Sequence, residues 1–170
     1  MASNFFLKFE NPADTVVIKG ESTDSAHTGE IQALSWSHSF NQPTKPTRSS
    51  AGGGTVEQAN HSDFSFTKYV DGATDDLLKY CWSGKQIAKG TFVAYRADGD
   101  NVAVKYLEVL LEKIVVSNVS FGGGGGDLPT ETVALAYGKV TYTYTPQKVA
   151  DGTGDGAQPV YHDLIGQEVG

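Results

Sequence analysis

Short apolar runs that alternate with polar residues fill most of this chain, and they predict strands. Phe5–Glu10 and Thr15–Gly20 are two such runs, separated by the turn signal Asn11-Pro12. Within Glu30–Gln42 the alternation assigns Leu34, Trp36 and Phe40 to a core-facing side. It assigns Ala33, Ser35, Ser37 and Ser39 to the other, which reads as a smooth, exposed wall. Ser62–Val70 sets Phe64, Phe66 and Lys68 against Ser65, Thr67 and Tyr69. Gly90–Arg96 and Ala103–Val116 flank Asp98-Gly99-Asp100-Asn101, a hairpin signal. In the second of these strands Leu107, Val109, Leu111 and Val115 are expected to share a face opposite Glu108 and Glu112. Glu131–Tyr144 reads as one long strand and Val160–Leu164 as a short one.

Only Ala73–Ser83 has helical spacing. Thr74 is placed to cap it, Asp75 and Asp76 sit at the positive end of the helix dipole, and Gly84 provides a left-handed stop. The stripe Leu77, Leu78, Cys81 and Trp82 puts Trp82, like Trp36, on a core face and makes Cys81 a packing residue. Residues 43–60, with Pro43, Pro46, Arg48 and Gly52-Gly53-Gly54, hold nothing apolar enough to anchor a core, so they form a long protruding loop. Many strands and one helix exclude a parallel βαβ architecture. The expected fold is mainly β, one domain over 1–170. It is a compact antiparallel barrel or two-sheet sandwich with a side helix at about 74–83.

Charge removes several classes of function. Thirteen Lys and Arg against 20 Asp and Glu give a net charge of −7, with no basic run. Nucleic acid and anionic membrane surfaces are therefore poor partners. No apolar run reaches helix-spanning length, so no membrane insertion is expected. Cys81 is alone and can form no internal disulfide. The first ten residues lack a basic n-region and their apolar run is broken by Lys8, so no secretory signal peptide is expected. Such a chain is made in a reducing compartment and, if exported, leaves by a route without a cleavable signal.

The densest polar cluster is Lys19–His27. Ser22, Asp24 and His27 are the residue types of a hydrolytic triad. A triad draws its members from separate elements, however, and sets its serine on a strained elbow, and no G-x-S-x-G occurs. The expectation is a turn whose Ser22, Thr23, Asp24 and Ser25 bond their own backbone. His27, His38, His61 and His162 lack metal-ligand spacing; only the fold could unite them. Gly122–Leu128 holds one copy of a calcium nonapeptide pattern that works by stacked repeats. Asp151–Gly156 opens like an EF-hand loop, but position twelve is His162 and no helices flank it. Both read as loops, and no cofactor is expected.

Several segments, taken in order, resemble the haemolysin-coregulated protein family, the tube protein of bacterial type VI secretion systems. They are Phe6-Leu7-Lys8, Lys19-Gly20-Glu21-Ser22 with Asp24 and His27, Glu30-Ile31 with Leu34–Ser37, and Phe64–Asp71. They continue with Thr74–Lys85, Tyr106–Val109, Val115–Ser120, the glycine run, Thr130–Val133 and Tyr144–Gln147. The likeness covers nearly the whole chain. It implies a non-enzymatic subunit, made in the bacterial cytoplasm, with six copies closing into a ring and rings stacking into a secreted tube. It further implies a contractile sheath and baseplate behind the tube, a VgrG-like spike protein at its tip, and small effectors in its lumen. Ser35, Ser37 and Ser39 would face that lumen. Pro43, Lys45, Pro46, Arg48 and Ser49 would belong to the ring-stacking loop. Lys19, Glu21, Ser22, Asp24 and His27 would form a turn at the subunit interface. Two other readings stand beside it: a solitary secreted β-sandwich binding module, and a small hydrolase using Ser22, Asp24 and His27.

Overall fold

The computed structural model describes residues 4–13, 15–43, 58–97, 102–148 and 155–170. Among them run thirteen strands and one helix. The first strands are β1 (Asn4–Asn11), β2 (Thr15–Ile18), β3 (Ile31–Ala33), β4 (Ser35–Ser37), β5 (Phe40–Asn41), β6 (Asn60–His61) and β7 (Phe64–Tyr69). Helix α1 (Thr74–Ser83) precedes β8 (Ile87–Ala97), β9 (Ala103–Gly122), β10 (Thr130–Ala136), β11 (Lys139–Tyr144), β12 (Gln158–Asp163) and β13 (Glu168–Val169).

All strand pairs are antiparallel, and the expected fold class holds. One layer runs β1–β8–β9–β11–β12–β13, with β2 and β3 both on the free edge of β1. The other runs β4–β7–β10–β9. Strand β9, 20 residues long, belongs to both: its first half pairs with β8 and β11, its second with β10. The hydrogen-bonded path does not close into a barrel. Between β3 and β4 the chain itself bridges the gap through Leu34, whose N–H donates to the Thr67 carbonyl (2.7 Å).

Three expectations of uninterrupted alternation fail, each where the chain passes from one layer to the other. Ile31 and Ala33 are buried in β3, but after Leu34 the phase inverts and Trp36 points inward in β4. Leu34 and Phe40, expected inside, are 45% and 48% exposed, and Ala33, expected on the serine face, is in the core. In β9, Lys113 takes φ 56°, and from there Ile114 and Val116 face the core rather than Val115. Opposite it, the predicted strand Glu131–Tyr144 breaks at Tyr137-Gly138 into β10 and β11. Gly138 donates its N–H to the Glu112 carbonyl (2.9 Å), and a Cβ there would lie 2.7 Å from Ile165 Cδ1 and 3.3 Å from the Lys113 side chain. A larger residue there would have to push the tip of the exposed Ile165 side chain aside.

The core between the layers contains Leu7, Phe9, Ile18, Ile31, Phe64, Phe66, Phe92, Leu111 and Ile114, with Trp36 stacked against Phe64 and tilted over Phe92. Helix α1 closes one side. Leu77 is fully buried, with Ala73, Tyr80 and Cys81 packed beside it. Trp82, expected inside, is 79% exposed. At about 100° per residue it lies well round the helix from Leu77, while Tyr80 and Cys81 flank the buried line. Gly84 ends the helix at φ 64° as expected. The cap differs: Ala73 is the N-cap residue, without a side-chain bond, and Asp71 Oδ1 accepts from the Ala73 N–H (2.9 Å).

Thr74 is instead drawn inward by a buried ionic cluster. Its hydroxyl donates to Glu131 Oε1 (3.2 Å) and accepts from the Asp71 N–H (3.2 Å). Lys68 is fully buried. Its Nζ pairs with Glu131 Oε1 and with Asp71 Oδ1 (2.8 Å) and donates to the Tyr69 carbonyl (3.1 Å). Among the described residues Glu131 Oε2 finds no partner. The cluster ties β7 and β10 to the start of α1. Removing one buried partner strands the other charge, which costs about 3–5 kcal/mol. Lys68→Met should therefore lower unfolding free energy by about that amount in urea denaturation. The double variant Lys68→Met/Glu131→Leu should recover much of it; an undiminished loss in the double variant would show that the two charges do not act as a pair.

Candidate functional site

The outer face of the β4–β7–β10–β9 layer is built from small side chains. Cross-strand register lines them into two rungs: Ser35, Thr67, Thr132 and Ser120; then Ser37, Ser65, Ala134 and Asn118. Between them the inward rung is Trp36, Phe66, Val133 and Val119. Ser35, Ser37 and Ser39 are all exposed, while Trp36 and His38 turn inward between them. The two rungs carry no charge. Thr67 and Thr132 share a hydroxyl–hydroxyl bond (3.2 Å). A shallow hollow of about 540 Å³ lies over the second rung, bordered by Ser39, Ser62 and Asp63. Sequence alone identified the serines of β4. It missed Thr132, Ala134, Asn118 and Ser120, because their alignment depends on register, which no single strand encodes. The period-two pattern of Ser65 and Thr67 was the one available signal.

The Lys19–His27 segment folds back on itself, as expected of a turn. Gly20 and Ser22 donate their N–H groups to the carbonyls of Gly29 (2.8 Å) and Glu30 (3.1 Å), and Gly29 donates to the Ser22 carbonyl (2.9 Å). A Cβ on Gly20 would come within 2.3 Å of the Glu30 carbonyl oxygen, so glycine allows the closure. Ser22 Oγ accepts from the Asp24 N–H (3.3 Å) and Asp24 Oδ1 from the Ala26 N–H (3.0 Å). His27 contacts neither side chain. Its Nδ1 pairs with Glu30 Oε2 (2.7 Å), its Nε2 with the Tyr95 hydroxyl (2.9 Å), and its ring stacks on Phe6 (4.3 Å). The three residues of the hydrolase reading are thus engaged separately. Ser22 is buried and His27 half-buried, whereas Lys19, Glu21 and Asp24 face outward. Glu21 borders a hollow of about 280 Å³ with Leu34, Tyr69 and Val70, the last three all exposed apolar groups.

Pro43 is half-buried at the start of the long connection; Lys45, Pro46, Arg48 and Ser49 lie outside the described residues. The root of that connection is the β5–β6 ladder, which pairs Phe40 with His61 and Asn41 with Asn60. Three of the four histidines, His38, His61 and His162, do assemble there: the Tyr137 hydroxyl joins His38 to His61, His61 bonds His162 directly, and Tyr142 bonds His38. Among the described residues no group of three or more His, Cys, Asp or Glu side chains has the geometry of a metal site.

His27→Ala should cost stability, about 1–3 kcal/mol from the lost stack and two hydrogen bonds. Calorimetric melting would show it. His27→Phe should recover only the stacking part, and an unshifted melt for both variants would mean that the histidine does not hold the turn.

Residues 6–144 match the family model described as "Type VI secretion system effector, Hcp". The protein hcp1 of Pseudomonas aeruginosa is 39% identical over 170 residues, covering 99% of both chains. Among solved structures, Hcp1 from Salmonella typhimurium superposes with a TM-score of 0.73 at 27% identity, covering 99% of both chains. A type six secretion system protein superposes with a TM-score of 0.83 at 25% identity, covering 99% of this chain and 100% of that one. With the family model spanning residues 6–144 and a relative 39% identical over 99% of the chain, the chain belongs to the Hcp family of type VI secretion proteins.

Proposed function

We propose that the chain is the repeating subunit of a type VI secretion inner tube. Six copies close into a ring, rings stack head to tail, and small effectors are carried in the lumen. The observation that carries this reading is the pair of uncharged rungs, Ser35–Thr67–Thr132–Ser120 and Ser37–Ser65–Ala134–Asn118. A bore must stay open and hold cargo reversibly. Short hydroxyl and amide groups do both, because they leave volume free and offer hydrogen bonds without fixed charge. Ser39 extends the same wall. The outward Lys19, Glu21 and Asp24, beside exposed Leu34, Tyr69 and Val70, fit a contact with a neighbouring copy in which apolar area is buried and charges set the register. Ser22 and His27 would support that turn from within. Pro43 leads into the stacking loop with Lys45, Pro46, Arg48 and Ser49. The spike protein, the contractile sheath and the baseplate are partners of the assembled tube, and the tube is secreted.

One observation favours the solitary secreted binding module instead: the exposed Trp82 supplies an aromatic group of the kind that sugars stack on. Size-exclusion chromatography with light scattering separates the two. The tube reading expects an assembly of six, with rings and a central hole in negative stain, and a monomer at high concentration would overturn it. Ser37→Arg and Thr132→Arg should keep the rings and reduce effector co-purification by about tenfold or more, a loss of about 1.4 kcal/mol. Unchanged capture by both variants would show that this face does not line the bore.

A further inference from the structure

The His–Tyr cluster at the root of the long connection forms a single hydrogen-bonded relay. Tyr142 OH meets His38 Nδ1 (2.6 Å), His38 Nε2 meets Tyr137 OH (2.6 Å), Tyr137 OH meets His61 Nδ1 (2.8 Å), and His61 Nε2 meets His162 Nδ1 (2.7 Å). These side chains come from four places: the link after β4, strand β6, the β10–β11 break with β11, and β12. Phe40 packs against His38, His61 and Tyr142 and closes the cluster. Beside the β5–β6 ladder, Ser62 donates its N–H to the Ser39 carbonyl (2.9 Å) and Ser39 donates its N–H to Ser62 Oγ (2.8 Å).

Proton counting shows what the relay requires. Four hydrogen bonds need four protons, and three neutral imidazoles and two phenols supply them head to tail, in either direction. One added proton leaves a charge on a ring inside the cluster. Protons on both His61 and His162 set N–H against N–H and break their bond. Among the described residues, the charged or titratable groups facing these rings are Asp63 beyond β6, Tyr137 and Tyr142 beside β11, and the histidines themselves. Asp63, the one acid among them, is already engaged by the Ser117 hydroxyl. Lys139, Tyr161 and Asp163 occupy the alternate positions of β11 and β12 and point away.

We propose that this relay is an acid-opened latch: in its neutral form it clamps the β5–β6 root of the long connection to the β11–β12 edge, and protonation of its histidines releases that root. The latch belongs to the single chain and does not depend on ring formation. Burial, and then the neighbouring His61, pushes His38 down to about 4 from its ordinary 6.5. Burial and His162 lower His61 as well. Both shifts are depressions, so the closed form gains its advantage above pH 6.5. It loses that advantage as pH falls from 6.5 towards 4, because the opened histidines bind protons that the closed ones refuse. His38 alone would change the open-to-closed ratio by about 30-fold between pH 7.5 and pH 5.

Hydrogen exchange on the purified protein at pH 7.5, 6.5 and 5.0, corrected for intrinsic rates, tests this. Protection of the hairpin-root amides of residues 39–41 and 60–62 should fall at least about tenfold more than that of the β8–β9 ladder. In the double variant His38→Asn/His61→Asn that difference should vanish. Should the variant not fold, imidazole NMR titration of the wild type still decides, with His38 and His61 expected well below 6.5. Parallel loss of protection in the root and in β8–β9, or histidines titrating at 6.5, would overturn the latch.

Discussion

A strand shows its two faces alternately, so a strand that passes between two packed layers must invert its phase to keep apolar groups inside. This chain meets that constraint three times, at Leu34, at Lys113 and at Tyr137-Gly138. Each solution is local: one residue outside the ladder, one left-handed residue, or a two-residue break relieved by glycine. The core and the small-residue wall depend on these inversions equally. Without the one at Leu34, the β4 serines would face the core and Trp36 the solvent.

The same constraint explains what could be read in the chain beforehand. The strands, the helix and its glycine stop, the turn at Lys19–His27 and the exposure of Ser35, Ser37 and Ser39 follow from short-range pattern. Leu34, Ala33 and Val115 were assigned to the wrong faces because period two was extended through phase inversions, whereas Phe40 keeps the phase of Trp36 but packs on His38, His61 and Tyr142 outside the core. Such an inversion leaves almost no trace in residue type, and Lys113, unlike a Gly or Asn, gives no sign of a left-handed position. Trp82 misled for a related reason. The segment Leu77-Leu78 and Cys81-Trp82 is wider than the stripe that the β-layers can cover. The remaining wall residues and the histidine relay are long-range alignments, fixed by register and not by neighbours in sequence. Family resemblance, by contrast, was legible throughout, since it rests on the order of segments and not on their faces.

Polar groups inside this fold are used in two different ways. Lys68, Asp71, Thr74 and Glu131 form a charged knot that fixes α1 to β7 and β10. The relay from Tyr142 to His162 is half-buried, and burial holds its His38 and His61 below the ordinary histidine value. One fastens permanent structure. The other holds a hairpin root whose attachment is conditional. Placing them at different corners lets the root respond while the core does not.

Strand β9 gives the molecule a mechanical axis. Its 20 residues amount to about 65 Å of extended chain, running through both layers and hydrogen-bonded along both edges for part of its length. Ladder bonds lie across the strand direction, so a force along β9 shears many of them together instead of parting them one at a time. Stiffness in this protein is therefore directional: greatest along the strand that the two layers share, and lower at two-pair ladders such as β5–β6 and β12–β13, which have few bonds to share a load.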